Sequence, residues 1–246
     1  MAIVLRSLLF NVAFYLNTLI FLIGALPTFF MSYRAIMSVA KAWGRANLFL
    51  LWAICGIKAE FRGLEKIPQG GLLVASKHQS TWETFALLWL FGDPVFILKR
   101  ELQWIPLFGW FTIKGRMVPV RRGARGQGLT EMSERARIEL ARGRQIIIFP
   151  EGTRRPAGAE PKYKIGVAHL YEAGGVPCLP VALNSGMFWP RRSLLRVPGT
   201  VIVEILDPIP PGLPKEEFFA RLQNDMETAT ARLIAEGRRE TTRSSV

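Results

Sequence analysis

The stretch Lys77-His78-Gln79-Ser80-Thr81-Trp82-Glu83-Thr84 sets a carboxylate five residues after one of only 2 histidines in the chain. An imidazole, with an unperturbed pKa near ~6.5, can take a hydroxyl proton when a carboxylate fixes its tautomer and stabilises the imidazolium. On one continuous helix, side chains five apart diverge by ~140°, so the pair can meet only if a helix begins between them. The flanking residues supply that break. Leu72-Leu73-Val74-Ala75 reads as a buried strand and Phe85-Ala86-Leu87-Leu88-Trp89-Leu90 as a buried helix. His78 therefore falls at a strand-to-helix turn, where α/β folds keep much of their chemistry. A purely structural reading also fits: Ser80-Thr81-Trp82-Glu83 matches the S-x-x-E capping box, with Glu83 accepting backbone N–H groups at the helix start. The two readings are compatible.

A second chemical stretch, Phe149-Pro150-Glu151-Gly152-Thr153-Arg154, follows the strand-like Ile146-Ile147-Ile148 without a break. Gly152 lets the backbone approach a ligand, Thr153 supplies a hydroxyl, and Arg154 with Arg155 offers forked donors suited to phosphate. Further basic groups stand at Val118-Pro119-Val120-Arg121-Arg122-Gly123 and at Lys162-Tyr163-Lys164. Each alone reads as solvated charge; together they suggest a phosphate-binding rim. The second histidine, His169, has no motif around it and reads as structural. No spacing suits a metal, and none is expected.

The balance of 32 Lys+Arg against 19 Asp+Glu, a formal charge of +13, favours an anionic partner. With hydrophobic residues at 50% of the chain, that partner is expected at a membrane surface rather than in nucleic acid. Cys55 and Cys178 have neither metal-ligand spacing nor a disulfide framework and read as small core residues in a reducing compartment.

These residues are positioned by an alternation of short strands and helices from Lys58 onward. Strands are expected near Lys58 to Arg62, Leu72 to Ser76, Val95 to Leu98, Met117 to Val120, Gln145 to Phe149, Cys178 to Leu183 and Thr200 to Ile205. Helices are expected from about Gly128, where Leu129, Met132, Ala136 and Leu140 recur at helical spacing, and over Ile165 to Ala173. A last helix runs from Lys215 to about Glu236. The fold class is α/β, a mixed and mostly parallel sheet flanked by helices. Residues 58–236 form that domain, and the polar tail 237–246 is expected to be disordered.

Residues 1–57 form an N-terminal helical membrane-anchoring segment. Leu8 to Met31 is nearly uncharged and long enough to cross a ~30 Å hydrocarbon core. It is longer than the apolar region of a signal peptide, and no small-x-small cleavage site closes it. Arg34, Lys41 and Arg45 then alternate with Ile36, Met37, Val39 and Trp43 as in a basic interfacial helix, and Leu48 to Ile57 is too short to span alone. One spanning helix and a two-helix hairpin dipping into one leaflet fit equally. The basic excess after the first segment puts the rest of the chain on the cytoplasmic face of the membrane.

Taken together, these stretches resemble the glycerolipid acyltransferase family, over roughly Lys58 to Asp207. The family's Asn-His-x4-Asp is matched by Lys77-His78 through Glu83. Its second motif, a lysine-containing helix leading through a Gly-bearing segment to arginine, is matched by Lys99-Arg100-Glu101-Leu102, Ile105-Pro106-Leu107-Phe108-Gly109 and Arg121. Phe-Pro-Glu-Gly-Thr-Arg stands intact at Phe149 to Arg154, followed by Tyr163-Lys164-Ile165-Gly166, and the Val-Pro-x-x-Pro-Val strand is Val176 to Val181. Two positions depart: Lys77 replaces asparagine and Glu83 replaces aspartate.

The resemblance implies acyl transfer from acyl-CoA or acyl-ACP to a lysophospholipid such as lysophosphatidic acid, without a bound cofactor. It implies His78 as general base and Glu83 as its partner. Arg121 and Arg154 would hold the acceptor phosphate with Lys164 in a lesser part, and Glu151, Gly152 and Thr153 would shape the acceptor site. Acyl carrier protein and the bilayer are the implied partners. Lyso-ornithine lipid is an alternative acceptor. A non-catalytic lipid-binding protein is the alternative of another class, and it leaves His78 and Glu151 unexplained.

Overall fold

The computed structural model describes residues 1–121 and 126–243; Arg122 and Gly123 of the second basic group, and residues 244–246, lie outside them. Seven strands form one sheet in the order β1-β7-β6-β2-β5-β3-β4. They are β1 (Ile57–Arg62), β2 (Leu72–Ser76), β3 (Pro94–Lys99), β4 (Val118–Val120), β5 (Gln145–Ile148), β6 (Cys178–Leu183) and β7 (Gly199–Ile205). Every neighbouring pair is parallel except β6 and β7. The sheet is thus mixed and mostly parallel, as the alternation of elements predicts. Five strands, β6, β2, β5, β3 and β4, present their carboxyl ends on one edge, where α/β sheets bind ligands.

The sheet is covered on both faces. Leu72, Val74, Ile147, Leu179 and Val181 pack with α1 (Ala2–Gly24), α2 (Tyr33–Cys55) and α3 (Trp82–Leu90). The alternate residues Leu73, Ala75, Ile146, Ile148 and Cys178 pack with α5 (Gln127–Ala141), α6 (Gly166–Gly174) and α7 (Lys215–Arg243). This period of two is what a strand buried on both sides requires. A short α4 (Phe108–Lys114) lies between β3 and β4.

The amphipathic stretch around Trp43 and the apolar run after Leu48 join into a single helix, α2, which returns antiparallel along α1. Trp43 Nε1 donates to Thr18 Oγ1 at 3.1 Å, and Asn17 Nδ2 donates to Asn47 Oδ1 at 3.3 Å. Gly44 brings α2 against α3, since a Cβ there would stand 2.7 Å from the Phe85 carbonyl oxygen. The first helix also touches the sheet domain: Ser7 Oγ accepts from Arg196 N–H at 2.8 Å, and Asn11 Oδ1 accepts from the Arg196 guanidinium at 2.9 Å. Arg196 in turn stacks on Trp189, 3.9 Å from its ring centre.

The last helix differs from expectation. A glycine after a periodic run is a common helix stop, yet α7 continues through Gly237 to Arg243. A Cβ at Gly237 would stand 2.9 Å from Met187 Sδ and 3.2 Å from Asn184 Nδ2, so the glycine serves close packing of the helix on that loop. Glu236 pairs bidentately with Arg62, and Glu240 accepts from Thr200 N–H at 3.2 Å. The segment from Gly237 to Arg243 is therefore docked helix, not a disordered tail.

Candidate active site

Strand parity assigns the two residues after β2 to opposite faces. Lys77 continues the series Leu73, Ala75 and faces the layer holding α7; His78 continues Leu72, Val74 and faces α3. The α3 helix begins at Trp82, so the backbone turns between His78 and Glu83 and the five-residue separation closes. His78 Nδ1 lies 2.9 Å from Glu83 Oε1.

Glu83 is fully buried, with no cation among the partners of its carboxylate. Hydrogen bonds compensate it instead. Oε1 also accepts the N–H groups of Gln79 and Ser80, both at 2.7 Å, and Oε2 accepts Ser185 Oγ–H at 2.8 Å. The Ser80 N–H bond is one arm of the expected capping box. The other arm differs, because Ser80 Oγ accepts from Trp82 N–H at 3.3 Å. Capping and pairing with histidine thus coexist in one carboxylate. An ionised carboxylate can only accept, so the neutral tautomer that suits this contact has its proton on Nδ1 and its lone pair on Nε2. Among the described residues Nε2 has no hydrogen-bond partner, and the ring stacks on Phe149 with centres 4.0 Å apart.

The loop after β5 holds the histidine's main chain from both sides. Glu151 Oε2 accepts His78 N–H at 2.9 Å, and Arg155 N–H donates to the His78 carbonyl at 2.7 Å. Gly152 makes this loop possible with φ of +63°, and its bare face lies under the Lys164 side chain, where a Cβ would come within 2.8 Å of Nζ. Arg154 is exposed and reaches back to Thr81 Oγ1 at 2.6 Å. Thr153 is half-buried on the same loop.

Residues 149–154 and Lys164 therefore gather beside His78. Arg121 does not. It follows β4, three strand spacings from β2, roughly 14 Å across the sheet, and it is exposed on the same edge. Lys99 ends β3 between them, followed by a 3-10 turn, Arg100–Trp104, rather than an α-helix. His169 lies half-buried on α6, away from the pair in both sequence and layer. Among the described residues no group of His, Cys, Asp and Glu could hold a metal. Cys178 is buried inside β6, where burial pushes its thiol well above the ordinary range.

Two contributors, Ser185 and Glu227, lie outside every motif read above, and Gln79 and Tyr163 lie inside quoted stretches but with no part assigned to them. Ser185 follows β6 on the same sheet edge, and Gln79 Oε1 accepts Gly186 N–H at 3.0 Å, tying that loop to the histidine turn. A search of strand ends rather than of motifs would have found Ser185. Glu227, on α7, has no sequence signal at all.

A family model described as Acyltransferase matches residues 58–184. A 1-acyl-sn-glycerol-3-phosphate acyltransferase of Pseudomonas aeruginosa is 38% identical over 193 residues, covering 78% of this chain and 74% of that protein. A human 1-acyl-sn-glycerol-3-phosphate acyltransferase alpha is 28% identical over 93% of this chain and 83% of its own length. The crystal structure of the 1-acyl-sn-glycerophosphate (LPA) acyltransferase PlsC from Thermotoga maritima has the same fold, with a TM-score of 0.78 over 93% of this chain and 96% of that one at 24% identity. On the matched catalytic region and the length of the aligned relatives, the chain belongs to the acyltransferase family that includes the 1-acyl-sn-glycerol-3-phosphate acyltransferases.

Proposed function

We propose that the protein transfers an acyl chain from an acyl thioester, acyl-CoA or acyl-ACP, to the free sn-2 hydroxyl of 1-acyl-sn-glycerol 3-phosphate, giving phosphatidic acid for phospholipid synthesis. The observation that carries the reading is the 2.9 Å contact of His78 Nδ1 with buried Glu83 on the edge that also bears the Phe149 to Arg154 loop. The acceptor is the one for which the similar Pseudomonas aeruginosa and human acyltransferases are named.

In this mechanism His78 Nε2 takes the proton of the acceptor hydroxyl, and Glu83 stabilises the imidazolium that results. The oxygen attacks the thioester carbonyl, an ester C–O bond forms, and the tetrahedral intermediate expels the thiolate as the C–S bond breaks. The imidazolium then protonates the thiolate, and the base is restored. No acyl-enzyme is required. That fits a chain without a G-x-S-x-G elbow and with Cys178 held protonated inside a strand. Arg154 and Lys164 stand beside the base to take the acceptor phosphate, and Arg121 lies farther along the edge to engage a more distant part of either substrate.

Membrane attachment follows from α1. Ala2–Phe30 is long and apolar enough to cross a bilayer, and Leu5, Leu9, Val12, Leu16, Leu19, Ile20 and Ile23 are exposed on it. Its opposite side carries Ser7, Phe10 and Asn11, which bind the sheet domain. A spanning pose would drag that domain into hydrocarbon, so the hairpin lies in one leaflet, on the cytoplasmic side by the positive-inside tendency. The acceptor's chain then stays in the leaflet while its headgroup reaches the sheet edge.

The test is acylation of a panel of lyso-acceptors by the purified protein in detergent, with a long-chain acyl-CoA or acyl-ACP. Lysophosphatidic acid is expected to be the preferred acceptor, and His78→Ala to abolish turnover in a folded protein. Substantial activity of that variant sinks the base assignment, and preference for lyso-ornithine lipid sinks the acceptor assignment.

A further inference from the structure

Lys77 stands where the family motif has asparagine, and its side chain is 4% exposed. A lysine at that depth costs several kcal/mol unless it is paired and hydrogen-bonded. Its Nζ donates to Glu151 Oε1 at 2.8 Å and to Glu227 Oε1 at 2.7 Å. Tyr163 O–H donates to the same Glu227 oxygen at 2.8 Å, and its ring centre lies 5.4 Å from Nζ. Burial and Glu227 push the Tyr163 hydroxyl far above its ordinary range, so it stays a donor. Glu151 spends its other oxygen on His78 N–H at 2.9 Å. An unbroken chain of contacts therefore runs from α7 through Lys77 and Glu151 to the main chain of His78.

We infer that Glu227 and Lys77 act as a coupled pair of positioning residues: Glu227 supplies the second counter-charge that lets a buried lysine, in place of asparagine, hold Glu151 against the backbone of the base. This rests on the acyl-transfer reading of the site. Three physical points support it. Among the described residues Glu151 and Glu227 are the carboxylates paired with Lys77, so Glu151 alone would face it if Glu227 were neutral. Removing the lysine instead leaves two carboxylates converging on one empty position, which like-charge repulsion would drive apart. Glu151 cannot swing away without releasing His78 N–H, and the proposed base would shift by the tenths of an ångström that matter to a near-attack geometry. An asparagine at position 77 could donate to Glu151 without bringing a charge, and would need no Glu227.

The experiment is a double-mutant cycle on the full chain with Lys77→Asn, Glu227→Gln and the double variant. The kcat, both KM values and the thermal midpoint are measured with a long-chain acyl-CoA and whichever lyso-acceptor the wild type turns over fastest. Lys77→Asn is expected to lose at least 30-fold in kcat and Glu227→Gln about tenfold, with KM values within threefold of wild type. The double variant should recover at least tenfold over Lys77→Asn. Glu227→Gln keeps the shape and an acceptor oxygen, so it reports on charge even if Lys77→Asn folds poorly, and the thermal midpoints give the same coupling independently of turnover. Additive losses in kcat overturn the pairing, as does a kcat loss no larger than the fraction of each variant unfolded at the assay temperature. A wild type inactive on lysophosphatidic acid but active on another acceptor overturns only the acceptor reading.

Discussion

Ser185 Oγ donates to Glu83 Oε2 at 2.8 Å, joining the loop after β6 to a carboxylate 102 residues earlier in the chain. Among the described residues this is the one bond to Oε2, and the other three donors converge on Oε1. Losing it would free the carboxylate to rotate while leaving the His78 contact sterically possible. Ser185→Ala is expected to lower kcat by about tenfold with KM unchanged, since a net hydrogen bond to a charged group is worth ~1.5 kcal/mol or somewhat more. Steady-state kinetics checks it, and an unaltered kcat would mean that the helix start alone orients Glu83.

Glu83→Gln preserves the shape of the side chain but not its charge. The amide cannot accept at both terminal positions, and an imidazolium beside it loses its counter-charge. We expect kcat to fall at least 100-fold, in the range of other general-base partners. Near-normal turnover would leave Glu83 a structural role at the start of α3, accepting the N–H groups of Gln79 and Ser80 and the Ser185 hydroxyl.

The two arginines should separate. Arg154 lies on the loop that holds His78, while Arg121 lies three strands away. Arg154→Ala is expected to raise the KM for the lyso-acceptor by about tenfold with little change in kcat, as lost uniform binding predicts. Arg121→Ala should raise it less. The assignment of the phosphate to Arg154 fails if the order is reversed.

At Gly44 two effects oppose one another. Alanine is the better helix former by ~1 kcal/mol, but its Cβ would stand 2.7 Å from a backbone carbonyl that has nowhere to move without shifting α3. Overpacking of this kind costs ~1–3 kcal/mol, so Gly44→Ala is expected to lower the thermal midpoint. A rise would show that α2 and α3 can separate at no cost.

Cys178 gives a pH dependence. Burial holds the thiol protonated in the fold, whereas in the unfolded chain it ionises near ~8.5. The raised folded pKa means that this contribution to stability is fully present below ~8.5 and is lost as the pH rises above it. The thermal midpoint should decline above that pH, and the decline should be shallower in Cys178→Ala. Native alkylation of Cys178 should be slow at every pH at which the protein stays folded. Equal slopes for the two proteins, or rapid native alkylation, would count against a buried neutral thiol.

The central strands β2, β5 and β6 were legible because they are buried on both faces, and a short apolar run bounded by turns has few other readings. Both β2 and β6 agree with the sequence reading to the residue, and β5 differs by one. The His78 and Glu83 pair was legible because the helix start between them is local. What escaped was long-range. Glu227 is one of several acidic residues on an exposed-looking helix, and only the packing of α7 against β6 turns it toward Lys77. Gly237 misled because a stop signal and a close-packing residue are the same amino acid, and only Met187 and Asn184 tell them apart. The short α4 was missed for a related reason: Phe108-Gly109-Trp110-Phe111 has no apolar period, and its glycine answers to the Gln103 backbone.

The grip of the β5 loop on His78 has a mechanical consequence. Glu151 and Arg155, which hold the two sides of the histidine's peptide chain, flank Arg154 in sequence. The proposed headgroup arm and the proposed base therefore form one lever. A tug on Arg154 from an arriving phosphate would reach the imidazole through two short bonds, without passing through any flexible side chain of the base itself. Docking of the acceptor and alignment of the attacking group would then be a single movement.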